Sequence, residues 1–148
     1  MDAAERLLAV EEIKQLKARY FRCMDTKDWD GYAAVYAADA VLDVSGESGV
    51  PDGEGVIRGG TAIAEYVKGQ VDPVTTVHHG HMPEIEITSP TTATGIWSME
   101  DMLRWPEDAP IDWMHGYGHY HETYEKVDGE WRIKSCRLTR LRVDFGMR

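Results

Sequence analysis

The sequence predicts an α+β fold in which N-terminal helices pack inside a strongly curved antiparallel sheet. Three observations predict it. Helical periodicity is confined to the part of the chain before about Val71, everything from Thr75 onward reads as strand, and two reversals divide that second part into hairpins. Helices first and strands afterwards is the order of an α+β domain. At 148 residues, positions 1–148 are expected to form one domain that buries a core without disulfides or structural metal.

Each element has its own signal. From Asp2 to about Asp25, Val10, Ile13, Leu16, Tyr20, Phe21 and Met24 recur at spacings of three and four and share one arc of a helix. Lys17 falls in the same arc, where its stem is expected to lie on apolar surface with the ammonium reaching water. Asp25 projects to the edge of the arc, off the fully solvated face. A second short helix is expected from Asp28 to Tyr36, with Asp28 or Asp30 as cap. Ala40 to Val44 reads as a strand, and Gly46 to Gly60 as a glycine- and proline-broken loop whose glycines would permit closure over a pocket. Thr61 is placed to cap a third helix, Ala62 to about Val71, with Ile63, Tyr66 and Val67 on one face. Thr75–Thr88 and Thr92–Trp105 flank Ser89-Pro90. A long strand from Trp113 to Lys126 turns at Val127-Asp128-Gly129-Glu130 into Trp131–Phe145, and Asp-Gly between strands is a strong hairpin signal. A sheet curled around helices leaves a cavity suited to a small molecule.

The net charge of −10 argues against nucleic acid or an anionic membrane as partner, since both need a basic surface. Cys23 and Cys136 form neither a CxxC nor a zinc spacing, so two reduced, packed thiols in a cytoplasmic protein are expected. No signal peptide or membrane span is expected.

Tyr20-Phe21-Arg22-Cys23-Met24-Asp25-Thr26-Lys27-Asp28-Trp29-Asp30, the strand start Val77-His78-His79-Gly80 and the hairpin Tyr124–Trp131 together resemble the SnoaL-like proteins of the NTF2-like superfamily. That group includes scytalone dehydratase, hexachlorocyclohexane dehydrochlorinase and bile-acid 7α-dehydratase. The resemblance covers nearly the whole chain and implies the cone-shaped α+β barrel of that superfamily. In the dehydratase and the dehydrochlorinase, an Asp at this helix end orients a proton-abstracting His at this strand start, and Asp25 and His78 match both. The bile-acid enzyme implies three more site residues: Tyr20, Asp101 and, within a residue, Arg140. Positions that scytalone dehydratase fills otherwise fall here near Val44, on Gly118 and Tyr120, and near Leu103, which argues against scytalone itself as substrate. The family also implies homodimers or homotrimers.

The chemistry supports the pair independently. A neutral imidazole, with an ordinary pKa of about 6.5, is suited to taking a proton near neutral pH. A carboxylate on its other nitrogen fixes the tautomer and stabilises the imidazolium that forms. The expectation is therefore a cofactor-free lyase or isomerase, dehydratase- or cyclase-like, acting on a small apolar molecule such as a steroid or polyketide. His78 is the base and Asp25 its orienter. Tyr20 and Arg140 are candidate polarising donors, and Asp101 a candidate acid or hydroxyl anchor. Met24, Trp97, Met99, Tyr120 and Leu138 are candidate lining residues.

Each residue has a plainer reading. Tyr20 can be core, Asp101 a solvated edge charge, and Arg140 part of an outer charged face with Arg137 and Arg142, although alternation sets it with Cys136 and Leu138. His79 and His81 share the strand face opposite His78; His119 and His121, with His115 and Tyr117, belong to an outer layer suited to a subunit interface. No metal is expected there, because no carboxylate or cysteine spacing completes a site. The rival functions are a ligand-binding cone without turnover and the small subunit of a ring-hydroxylating oxygenase.

Overall fold

The computed structural model describes residues Met1–Arg148. The elements in chain order are α1 (Ala3–Asp25), α2 (Trp29–Ala34), β1 (Tyr36–Asp43), β2 (Val56–Arg58), α3 (Gly60–Val71), β3 (Thr75–Ser89), β4 (Thr92–Arg104), β5 (Ile111–Val127) and β6 (Glu130–Met147). The strands form one six-stranded sheet in the order β2-β1-β6-β5-β4-β3. The helices pack against its concave face, and the expected α+β cone is what is observed.

Two corrections concern the sheet. It is mixed rather than antiparallel, because β1 runs parallel to β6, with Leu42 opposite Cys136. It also stays open, with β2 and β3 as its edges, so the curl does not close into a barrel. The parallel pairing joins strands about ninety residues apart, and no local signal encodes it. Strand β2 was expected to be loop: it is three residues long and exists through its pairing with β1, Leu42 opposite Ile57. The second helix stops at Ala34, and Tyr36 enters β1 instead. Helix α3 begins at Gly60 after Gly59, without the side-chain cap expected of Thr61.

Helix α1 starts in a capping box between Asp2 and Glu5. Its buried face is Ala9, Ile13, Leu16, Lys17, Tyr20, Cys23 and Met24; Ala9 and Cys23 join the arc read from the sequence, while its Val10 and Phe21 are only half-buried. The β5–β6 reversal places Asp128 at φ 50° and Gly129 at φ 82°, the left-handed pair that a two-residue hairpin turn requires. Cys23 and Cys136 are both buried and unpaired.

Lys17 does not reach water. Its ammonium is sealed in the core 2.8 Å from Glu122, with side-chain exposures of 1% and 0%. It lies over the rings of Tyr20 and Tyr120, 3.6 and 3.7 Å from their centroids. Glu122 also accepts from the Tyr124 hydroxyl at 2.7 Å, and that hydroxyl accepts from Trp97 Nε1 at 2.9 Å. Four polar groups from α1, β4 and β5 thus satisfy one another where water is absent. Removing one charge of such a pair costs about 3–5 kcal/mol, because the other is left buried and uncompensated. Lys17→Met should therefore lower unfolding stability by about that amount, and adding Glu122→Leu should restore most of it. Urea unfolding of the two variants checks this; equal stabilities of Lys17→Met and the parent protein would show that the pair is solvated.

Candidate active site

The concave face of the sheet, α1, α3 and the loop between β1 and β2 enclose a cavity of about 480 Å³. Strand register fixes what faces it. His78 on β3 stands opposite Asp101 on β4, and Asp101 opposite Gly116 on β5.

Helix α1 delivers Asp25 at its last residue. The carboxylate spans two residues of β3: Oδ1 receives the His78 ring at Nδ1 (2.6 Å) and the Thr76 hydroxyl (2.9 Å), and Oδ2 receives the His78 backbone N–H (2.9 Å). Thr76 in turn accepts from Lys27 Nζ at 3.1 Å. Burial alone would push the Asp25 carboxyl up, but these hydrogen bonds, His78's first, outweigh it and hold it below its ordinary value. With Nδ1–H committed to Asp25, the neutral imidazole carries its lone pair on Nε2, which lies 3.9 Å from Asp101 Oδ2. His78 and Asp101 both line the cavity. The imidazole also stacks on Phe21, with centroids 6.1 Å apart.

Arg140 reaches Asp101 across β5. Nη1 donates to Oδ1 at 2.7 Å and Nη2 to Oδ2 at 3.0 Å, a two-pronged pair. Gly116 makes the crossing possible: a Cβ there would overlap the Arg140 guanidinium and the Asp101 carboxylate. From the other side Arg140 Nε donates to both oxygens of Glu47, in the β1–β2 loop, at 3.0 and 3.1 Å, and Nη2 lies 2.8 Å from Glu47 Oε1 as an ion pair. Burial opposes the guanidinium charge, but the bonds to Asp101 and then Glu47 more than offset it and push its pKa up.

Tyr20, Met24, Tyr120 and Leu138 line the cavity. Burial, followed by their neighbouring phenols and carboxylates, pushes Tyr20 and Tyr120 well above the ordinary phenol value, so both remain protonated. Trp97 and Met99 are not among the lining residues. Trp97 instead belongs to the Glu122 network, and Met99 is buried against Arg140, its Sδ 3.7 Å from Nη1. The cavity instead takes Leu103 from the end of β4, Trp105 just beyond it, Met114 from β5, and Tyr66 and Gln70 from α3. Glu47, Thr76 and Lys27 are the polar residues that sequence reasoning missed. No periodicity marks Glu47, which lies in a glycine-broken loop; Thr76 was legible as the inward neighbour of His78, two residues before it on the same strand face.

On the opposite face, Glu100 of β4 collects His115 (2.9 Å), His81 (3.2 Å) and His79 (3.5 Å). The His115 hydrogen bond is the main reason the Glu100 carboxyl is held below its ordinary value.

Residues 5–137 match the SnoaL-like domain family, and the chain belongs to it. A Gibberella zeae protein named as a probable cyclase is 25% identical over 137 residues, covering 87% of this chain and 89% of its own. Among solved structures, a provisionally assigned scytalone dehydratase from Novosphingobium aromaticivorans superposes with a TM-score of 0.83 at 21% identity, covering 97% of this chain and 91% of that one. A type 2 hexachlorocyclohexane dehydrochlorinase superposes with a TM-score of 0.83 at 18% identity, covering 98% and 93%. At these identities the two structures establish the fold. No helix is long and apolar enough to cross a membrane.

The Asp25 geometry makes stability depend on pH with a defined sign. A carboxyl whose folded-state pKa is lowered adds stability above its ordinary value, and loses it as the pH falls through that value towards the lower folded one. Urea unfolding of the parent protein and Asp25→Asn should therefore show a stability gap that narrows between about pH 5 and about pH 2. A gap that stays constant over that range would mean the carboxylate is not preferentially ionised in the fold.

Proposed function

We propose that this protein is a cofactor-free lyase or isomerase of the dehydratase type. It abstracts a proton from a small apolar molecule, steroid- or polyketide-like, and expels water or moves a double bond. The observation that carries the reading is the committed Nδ1 of His78, which leaves Nε2 as a basic nitrogen facing an apolar cavity. The family, and relatives named for cyclase, dehydratase and dehydrochlorinase activities, support the same class.

In this reading Nε2 takes a proton from a carbon next to a carbonyl or hydroxyl-bearing carbon. Asp25 stabilises the imidazolium that results. Asp101 has both oxygens on Arg140, so it acts as an ionised acceptor that anchors a substrate hydroxyl rather than as the acid. In elimination the C–H pair becomes the new C=C bond, the C–O bond breaks, and the Nε2 proton leaves with the hydroxyl as water. Isomerisation returns the same proton to a different carbon. Tyr20, kept protonated by burial, donates where negative charge develops on oxygen. Arg140, with its hydrogen bonds given to two carboxylates and a thioether, holds Asp101 in place instead of polarising the substrate directly.

Deuterium uptake from D₂O into a panel of polycyclic ketones and hydroxyketones, followed by mass spectrometry, tests this. The parent protein should exchange one α-carbon position, and His78→Ala should slow exchange by about 10²–10⁴-fold. Binding of these compounds with neither exchange nor elimination would make the cone a carrier.

A further inference from the structure

Arg140 is the one permanent cation lining the cavity, which also presents Glu47, Glu54 and Asp101. A guanidinium has five N–H donors, and here hydrogen bonds take four of them. Asp101 takes one from Nη1 and one from Nη2, Glu47 takes Nε, and Met99 Sδ takes the second Nη1 hydrogen. Glu47 Oε1 also lies 2.8 Å from Nη2 as an ion-pair partner, so the cation is outnumbered and its outer edge is covered. The two carboxylates differ in one respect. Asp101 comes from a central strand with 6% side-chain exposure, whereas Glu47 comes from the β1–β2 loop with 21%.

The loop holds Glu47 in this place without help from a ligand. Ser45 is tied to Asp43 Oδ1 by its backbone N–H (2.9 Å) and its hydroxyl (2.6 Å), Glu47 N–H bonds Val44 O at 3.0 Å, and Val44 N–H bonds Gly55 O at 2.8 Å. The same loop contributes Val50 and Pro51 to the cavity wall. Glu47 thus occupies the edge of Arg140, formed by Nε and Nη2, that a ligand carboxylate would otherwise take in the same two-pronged fashion.

We propose that Glu47 is the residue that sets charge selectivity in this cavity, closing Arg140 to acids and reserving the site for uncharged carbonyl or hydroxyl compounds. The proposal rests on the reading that this cavity is the substrate site. A carboxylate ligand must either displace Glu47, leaving that charge half-buried without its partner, or lie beside Glu47, Glu54 and Asp101 with the outer edge of the cation already covered. Both cost free energy that a neutral ketone of the same shape does not incur. Without Glu47 the outer fork of Arg140 is open, and the discrimination should vanish.

The test uses a matched pair, 2-acetylnaphthalene and 2-naphthoate, which share a ring system and differ in a methyl ketone against a carboxylate. Isothermal titration at neutral pH should show the parent protein binding the ketone at least about tenfold tighter than the acid. In Glu47→Ala the preference should fall by at least about tenfold, chiefly through tighter naphthoate binding. Glu47→Gln, which keeps a contact but drops the charge, should lie between, and circular dichroism melting shows that both variants are folded. Equal binding of the two probes by the parent protein, an unchanged ratio in Glu47→Ala, or no binding of either probe would each overturn the proposal. The outcome is separable from the catalytic reading. Charge-selective binding without deuterium exchange removes the lyase assignment and leaves Glu47's role standing; exchange without selectivity does the reverse.

Discussion

The carboxylate of Asp25 joins the two parts of the molecule on which everything else depends. It is the last residue of α1, and its oxygens take one hydrogen bond from Thr76 and two from His78 on β3. Hydrogen bonds to an ionised group are worth roughly 1.5–3 kcal/mol each, so this contact determines where the C-terminal end of α1 sits inside the curl. That placement carries Tyr20 and Met24, five residues and one residue back along the helix, to the cavity wall. The same contact selects the imidazole nitrogen left free. A structural tie and a tautomer choice are one interaction, and neither can be removed without the other.

The chain is strongly acidic overall, and inside the cone each buried cation is held by carboxylates. Lys17 and Glu122 neutralise each other behind the paired rings of Tyr20 and Tyr120, while Arg140 lies between Asp101 and Glu47 on the cavity side. Each cluster brings together distant elements, so each also pins the curvature of the sheet. Gly116 shows how closely backbone and charge are coupled: the Asp101–Arg140 contact runs through the volume that any side chain there would fill. The apolar cavity surface can then be polar at a few chosen points, which is what positioning of a small, weakly functionalised ligand requires.

Much of this was legible beforehand, for identifiable physical reasons. Helical periodicity located α1, the alternation of β6 turned Arg140 inward with Cys136 and Leu138, and the arc's edge placed Asp25 off the solvent. Pairing Asp25 with His78 across fifty-three positions came from resemblance to a family, supported by the chemistry of the two groups. What was not legible is tertiary in origin. Lys17 was expected to reach water because no local pattern announces Glu122. Trp97 and Met99 share the inward face of β4 with Asp101, but which inward residues meet the cavity and which meet α1 depends on how the helix crosses the sheet. Glu47 sits where glycines erase periodicity, and the parallel partnership of β1 with β6 has no local signature at all.

The central claim is that Asp25 holds the Nδ1 proton of His78 and leaves Nε2 free. Long-range ¹H–¹⁵N correlation spectra of the histidine rings, assigned by comparison with His78→Ala, measure this directly. At neutral pH His78 should be the Nδ1–H tautomer, with a strongly deshielded, exchange-protected ring proton that Asp25→Asn abolishes. A His78 protonated on Nε2, or a tautomer unaffected by Asp25→Asn, would contradict it.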